Sequence, residues 1–429
     1  MKRPRRRLLT VAASATVLTI AALAGCSSSQ GGGGSATPSG PLKLYNDKGA
    51  WTQYFNQVGT LAKKQLGFGV TPVGYTDEDT YQAFVDASFR TDVKPDLFSW
   101  QVGGQLKQIV NVGQVQNTDA IWKQGIADGN LTSSLEPYYT VNGQQYCVPL
   151  NVSYWGMFYN KHIFEKYGLT PPTTWSQLLH VAAVLKSHGV TPFYETTTLF
   201  TFVWFQQLLA GTDPTLYNQL ADGKASYTSP GVVNAMKIWQ TFIDDGYMSN
   251  PGLTTNPATL LQQGTVAMIP DGSWFNTSMT QLNLKAGTDY GFFVIPNASS
   301  SLSKTSVLFE SGPLCSLAGA ANSAADTKFM TWWIGQQPQQ LWSTSRGDLS
   351  ANPKVGLAGN ADLSNVVTKV RAGKYNLLLR YYEATPPPIL NTALEVFANF
   401  MVHPNALMTD LSQIQSAAQT YWASHPAGS

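Results

Sequence analysis

Charge is scarce in this chain. Only 12% of its 429 residues are Asp, Glu, Lys or Arg, about half of the ~25% usual for a soluble domain. No Lys/Arg run occurs after Arg7. A nucleic-acid binder needs a basic face, so nucleic acid is not expected as a partner. Cysteine is nearly missing, with three in all, too few for a disulfide framework. Neither Cys147 nor Cys315 has a Cys or His neighbour at zinc spacing, and the five histidines (His162, His180, His188, His403, His425) are scattered. No metal site is expected, and no cofactor. Spacing does not show that the two cysteines meet, and two buried free thiols are the favoured reading. Past residue 41 no apolar run is long enough to span a bilayer. The phosphate-cradling Gly-rich loop and the Gly-x-Ser-x-Gly elbow are also missing.

Aromatic residues are plentiful. Trp, Tyr and Phe number 12, 19 and 19, and 43% of the chain is hydrophobic. Extended disorder is thereby excluded, and the length suggests two or three globular units.

The first forty residues read as an address. Lys2, Arg3, Arg5, Arg6 and Arg7 precede an uncharged apolar stretch over 8–25, which ends Leu23-Ala24-Gly25-Cys26. A basic head, an apolar middle and small residues before a cut describe an export signal over 1–25. The Cys after Ala-Gly resembles a bacterial lipoprotein signal, in which Cys26 becomes the lipidated first residue. Without the five basic residues the chain carries 22 basic against 25 acidic side chains, a net charge of −3. Residues 26–40 are Ser/Gly-rich and read as a flexible tether. The expected location is the extracellular face of the cytoplasmic membrane, held there by the lipid.

Beyond the tether, strands and helices alternate, which points to an α/β fold. Leu42 to Tyr45 reads as a strand. Tyr54, Phe55, Val58, Leu61, Ala62 and Leu66 recur at helical spacing, and Gly67 is a stop. Strands are expected over 69–73 and 95–100, and extended chain over 146–159. The clearest helix begins at Thr174, with Gln177 completing a capping box, and ends at Gly189.

Tyr146-Cys147-Val148-Pro149, followed by Phe158-Tyr159-Asn160-Lys161, Ile163-Phe164, Gly168-Leu169 and Pro171-Pro172-Thr173-Thr174-Trp175, forms a composite motif. Gln263-Gly264-Thr265-Val266-Ala267-Met268 with Asp271-Gly272-Ser273-Trp274 forms a second, and Pro95-Asp96-Leu97 a third. These segments, in this order, resemble family 1 extracellular solute-binding proteins of ABC importers, the group that includes the maltodextrin-binding proteins. The resemblance covers about residues 42–350. It implies a periplasmic-binding-protein type II-like fold: two α/β lobes joined by hinge strands, with a ligand cleft between them. The implied bounds are 41–149 with 314–349 for the N-terminal lobe, and 150–313 with 350–429 for the C-terminal lobe. Cys147 and Cys315 would then lie on neighbouring hinge strands, which leaves a disulfide open.

The resemblance also suggests site residues. Trp274 stands where relatives stack a ring on sugar, and Trp100 where another site aromatic lies. Asp47 and Lys48 resemble a hydrogen-bonding Asp-Lys pair. Ser153 occupies a position of sugar contact, and Asn151, Ser153 and Trp155 share a face by strand alternation. Asp271, in the second motif, could accept from a sugar hydroxyl or cap its turn, and Glu310 lies at the expected second crossing between the lobes. Tyr381, Tyr382 and Glu383 precede Pro386-Pro387-Pro388, where relatives place another ring. Each has a plainer reading as packing, capping or a solvated turn, and Arg346 and Asp348 read as a pair. The remaining tryptophans mostly read as core. The expected function is a lipid-anchored, monomeric receptor that binds a sugar or oligosaccharide by lobe closure and delivers it to an ABC permease. The lack of a basic cluster near the motifs argues against a phosphorylated ligand. The competing reading is a secreted glycoside hydrolase with a carboxylate pair drawn from Asp271, Glu310 and Glu383.

Overall fold

The computed structural model describes residues 37–91 and 94–425. The export signal, Cys26 and most of the tether lie outside the described residues.

Two mixed sheets carry the architecture. The strands are β1 (Leu42–Asn46), β2 (Val70–Gly74), β3 (Leu97–Ser99), β4 (Val148–Pro149), β5 (Ser153–Asn160), β6 (Thr191–Phe193), β7 (Val266–Gly272), β8 (Tyr290–Phe293), β9 (Thr305–Glu310), β10 (Pro313–Cys315) and β11 (Tyr375–Leu379). The first sheet runs β2-β1-β3-β10-β4 and the second β11-β9-β5-β7-β6, with β8 also paired to β5. In β1 the apolar Leu42 and Leu44 are buried while Lys43 between them is exposed, the period-two pattern of a strand. All eight residues of β5 are buried, as befits a central strand covered on both faces.

The helices form where spacing and caps require. In Thr52–Leu66 the buried positions are Phe55, Val58, Gly59 and Ala62, and Gly67 closes the helix at φ 88°. Before Trp175–Ser187, Thr174 Oγ1 accepts from the Gln177 amide while Gln177 Oε1 accepts from the Thr174 amide. The capping box is therefore formed. Pro171 and Pro172 keep the preceding chain out of helix.

The chain passes from the first sheet to the second between Pro149 and Ser153, and back between Glu310 and Pro313. The two passages are bonded to each other. The Leu150 amide donates to Gly312 O at 2.7 Å, Ser311 Oγ donates to Asn151 O at 2.8 Å, and the Gly312 amide donates to Asn151 Oδ1 at 3.3 Å. A side chain at Gly312 would put its Cβ 2.7 Å from Asn151 Oδ1, so glycine is needed there for the two segments to meet.

One sequence expectation is corrected beside these passages. Cys147 and Cys315 are not free thiols but a disulfide, with Cα atoms 4.3 Å apart. Pairing depends on β4 and β10 being neighbours, a contact between residues 168 positions apart that spacing cannot reveal. Cys147 adopts φ 62°, and its carbonyl accepts from Thr118 Oγ1 and Trp122 Nε1.

Candidate functional site

The strand ends define one region. In the first sheet β1 leads into Asp47-Lys48, β3 into Trp100-Gln101 and β4 into Asn151. In the second sheet β11 leads into Arg380, β9 ends at Glu310, β5 starts beside Trp155, β7 carries Asp271, and β6 leads into Glu195. The order of the strands therefore sets these five residues in a row: Arg380, Glu310, Trp155, Asp271, Glu195. Four strand spacings span about 19 Å. Loops at strand ends are where α/β folds place ligands.

Arg380 dominates one end of the row. Its Nε donates to Glu383 Oε2 at 2.8 Å and its Nη2 to Glu383 Oε1 at 2.5 Å, a bidentate fork. Its Nη1 pairs with Glu310 Oε2. The guanidinium also lies over Trp155 at 5.5 Å and Tyr382 at 5.3 Å from the ring centres. Burial alone would lower the arginine's pKa, but the two carboxylates outweigh it and hold the guanidinium charged. Trp155 Nε1 donates to Glu310 Oε2 at 3.3 Å. Glu310 and Glu383 are thus both bound to one cation, which does not suit them as an acid and nucleophile pair.

Three rings form the centre. Trp155 meets Phe200 edge-on at 5.4 Å and Trp274 edge-on at 6.2 Å, and Phe200 lies 5.5 Å from Trp274. Trp155 is fully buried, whereas Trp274 stays partly exposed. Trp274 is presented by a tight approach, because a Cβ on Gly272 would fall 2.4 Å from its indole nitrogen.

At the other end is a cavity of about 270 Å³. Tyr194, Phe200, Trp204 and Trp274 wall it, and Glu195 and Asp271 are its acids. Burial pushes the Glu195 carboxyl up to about 8, against the hydrogen bond from Trp239. Burial also pushes Asp271 well above its usual range, although the Gly272 amide donates to it.

The first-sheet residues are bound to one another. Lys48 Nζ lies 2.7 Å from Asp47 Oδ2, and Ser99 Oγ donates to Asp47 Oδ1 at 2.7 Å. Burial would raise the Asp47 carboxyl, but the Lys48 charge and these hydrogen bonds hold it below its ordinary value. Trp100 is buried, with its indole N–H on Gln105 O at 3.1 Å. Asn151 serves the passage described above. Ser153 Oγ lies 3.4 Å from both Asp348 oxygens, and Ser273 Oγ donates to Asp348 Oδ1 at 3.1 Å. Burial pushes Asp348 up to about 6 despite the Arg346 charge beside it. The expected Arg346–Asp348 pair is present at 3.5 Å. Arg346 also stacks on Trp51 at 3.5 Å, and its Nε and Nη1 make no hydrogen bond among the described residues.

The structure therefore gathers Trp155, Asp271, Trp274, Glu310, Tyr382 and Glu383 on the second sheet's edge and Asp47 with Lys48 on the first. Sequence reasoning missed Arg380, Glu195 and Phe200. Trp204, expected as core, is buried yet lines the cavity. Among the described residues no group of three His, Cys, Asp or Glu could hold a metal, and no helix is long and apolar enough to cross a membrane.

The edges touch at Gly103, which precedes the helix Gly104–Asn111. It adopts φ 71°, and a Cβ there would lie 2.7 Å from Glu383 O. Gly103→Val is therefore expected to part the edges. Small-angle scattering should show a larger radius of gyration for this variant, and an unchanged curve would show that the contact is dispensable.

The sequence matches the bacterial extracellular solute-binding protein family over residues 56–367. It is 27% identical over 213 residues to an uncharacterised ABC transporter extracellular-binding protein of Pyrococcus horikoshii, covering 47% of each chain. It is 24% identical over 257 residues to the sn-glycerol-3-phosphate-binding periplasmic protein of Agrobacterium fabrum, covering 56% of this chain and 58% of that one. The chain thus spans about half the length of these relatives. The fold is similar to a bacterial solute receptor described as having an exclusive preference for β-D-galactopyranose. That likeness has a TM-score of 0.74 at 18% identity, covering 89% of this chain and 99% of that one.

Proposed function

The chain belongs to the bacterial extracellular solute-binding protein family, and from that premise we propose that it is the receptor of a carbohydrate ABC importer. It captures a sugar or oligosaccharide between two lobes, 41–149 with 314–349 and 150–313 with 350–429, and breaks no bond. Cys26 carries the lipid that holds it at the extracellular face of the cytoplasmic membrane. A permease in that membrane receives the guest.

The observation that carries this reading is the pairing of every cation at the site. Lys48 is matched by Asp47, Arg346 by Asp348, and Arg380 by Glu310 and Glu383. A phosphate or carboxylate guest would have to break one of these pairs, which argues against sn-glycerol 3-phosphate. A sugar needs ring faces and hydrogen-bond donors instead. Trp274 and Phe200 offer the former, and the hydroxyls of Thr196 and Thr198 on the cavity wall offer the latter. The likeness to a galactopyranose receptor supports the same class. Closure follows because only the closed form brings Asp47 and Lys48 to a guest resting on Trp274.

A thermal-shift screen over mono- and oligosaccharides tests the reading. A ligand that binds only the folded chain must raise its melting temperature, and a panel without any shift would sink the proposal. In Trp274→Ala the best ligand is expected to bind at least tenfold more weakly, with the circular dichroism unchanged. Wild-type affinity in that variant would remove Trp274 from the site.

A further inference from the structure

The cavity beyond Trp274 has features that capture of a neutral sugar does not require. Its lining includes Glu195 and Asp271 but no Lys or Arg. Glu195 is only 4% exposed. Its Oε2 accepts from Trp239 Nε1 at 3.0 Å, and its Oε1 makes no hydrogen bond among the described residues. Asp271 is 7% exposed, and its carboxylate accepts from the adjacent Gly272 amide at 2.7 Å. Two buried acids without a cation are costly to keep, because a buried carboxylate needs a counter-charge or a proton. The walls include Tyr194, Phe200, Trp204 and Trp274. Aromatic faces attract a cation, more strongly where water is excluded.

We propose that this cavity seats the protonated amine of an amino sugar, with Glu195 and Asp271 as counter-charges and the four rings as a cage. The inference rests on the carbohydrate-receptor reading and narrows its substrate class. Size agrees, since about 270 Å³ holds on the order of nine waters, enough for one sugar unit but not a chain. Position agrees too, because Trp274 faces both the cavity and the ring cluster shared with Trp155. A terminal unit can enter the cavity while the remainder of the guest follows the row of strand ends. The raised pKa values of both acids have the same leading cause, burial, which at Asp271 outweighs the Arg380 charge beyond the cavity. An incoming ammonium group supplies a cation within the cavity, and the acids release protons as it binds.

Titration calorimetry on the full chain, at a pH where the amine is protonated, decides the matter. The probes are the β-1,4-linked disaccharide of glucosamine, its N,N′-diacetylated form and cellobiose, which differ only in the group at C2. The amine disaccharide is expected to bind at least tenfold more tightly than either of the others. In Glu195→Gln, and separately in Asp271→Asn, that ratio should fall towards one. A carbohydrate without an amine that binds as tightly as the amine disaccharide, or more so, overturns the inference and leaves the carbohydrate reading standing. A tenfold preference that persists in both folded variants removes the cavity from amine recognition. If no carbohydrate binds at all, both readings fall.

Discussion

Arg380→Met is expected to lower the free energy of unfolding by about 3–5 kcal/mol, the usual cost of removing one partner from a buried ionic cluster. The methionine nearly fills the space of the arginine stem, so lost volume contributes little. The loss comes from Glu310 and Glu383, whose side chains are 11% and 2% exposed and which would be left facing each other without a cation. Urea denaturation measures the change. Adding Glu310→Gln and Glu383→Gln to Arg380→Met should recover most of it, since neutral amides do not repel. Arg380→Lys should fall between, because an ammonium cannot fork two carboxylates. An Arg380→Met protein with the wild-type denaturation midpoint would show that the triad contributes nothing to the fold.

The second large effect concerns the covalent link. Cys147 and Cys315 close a loop of 168 residues, for which chain-entropy scaling gives about 5 kcal/mol, within the roughly 2–5 kcal/mol commonly lost when a native disulfide is removed. Cys147→Ala with Cys315→Ala is expected to lose stability in that range. A non-reducing peptide map of the wild type should contain the cross-linked pair. Both cysteines are fully buried, so mild reductant without denaturant should leave the pair intact. Free thiols at both positions in oxidised, exported protein would refute the link.

What could be read from the residues beforehand was local. The capping box at Thr174 and Gln177, the helix stop at Gly67 and the strand alternation around Leu42 and Leu44 are settled within a few neighbours, and the structure has all three. Arg346 and Asp348, two positions apart, were likewise within reach. The Asp-Gly-Ser-Trp turn drew notice to Trp274 because a family pattern marks it. Arg380 and Glu195 carry no such pattern. Arg380 has a local partner in Glu383, but its place at the site comes from Glu310, seventy positions earlier on a parallel neighbour strand, and from Trp155 on the next strand. Glu195 follows β6, a three-residue strand too short to show periodicity. The disulfide was missed for the same reason. Proximity across a sheet is a property of strand order, which residue spacing does not contain.

The row of strand ends is lopsided: Arg380, Glu310, Trp155, Asp271 and Glu195 all come from the second sheet, whereas Asp47 and Lys48 from the first are occupied with one another. On the receptor reading proposed above, taste and grip are thereby allotted to different parts of the chain. Substitutions at Glu195 and Asp271 would then retune which guest is favoured while the Arg380 cluster and the opposing sheet stay intact, and descendants of this gene could change diet while keeping the same jaw.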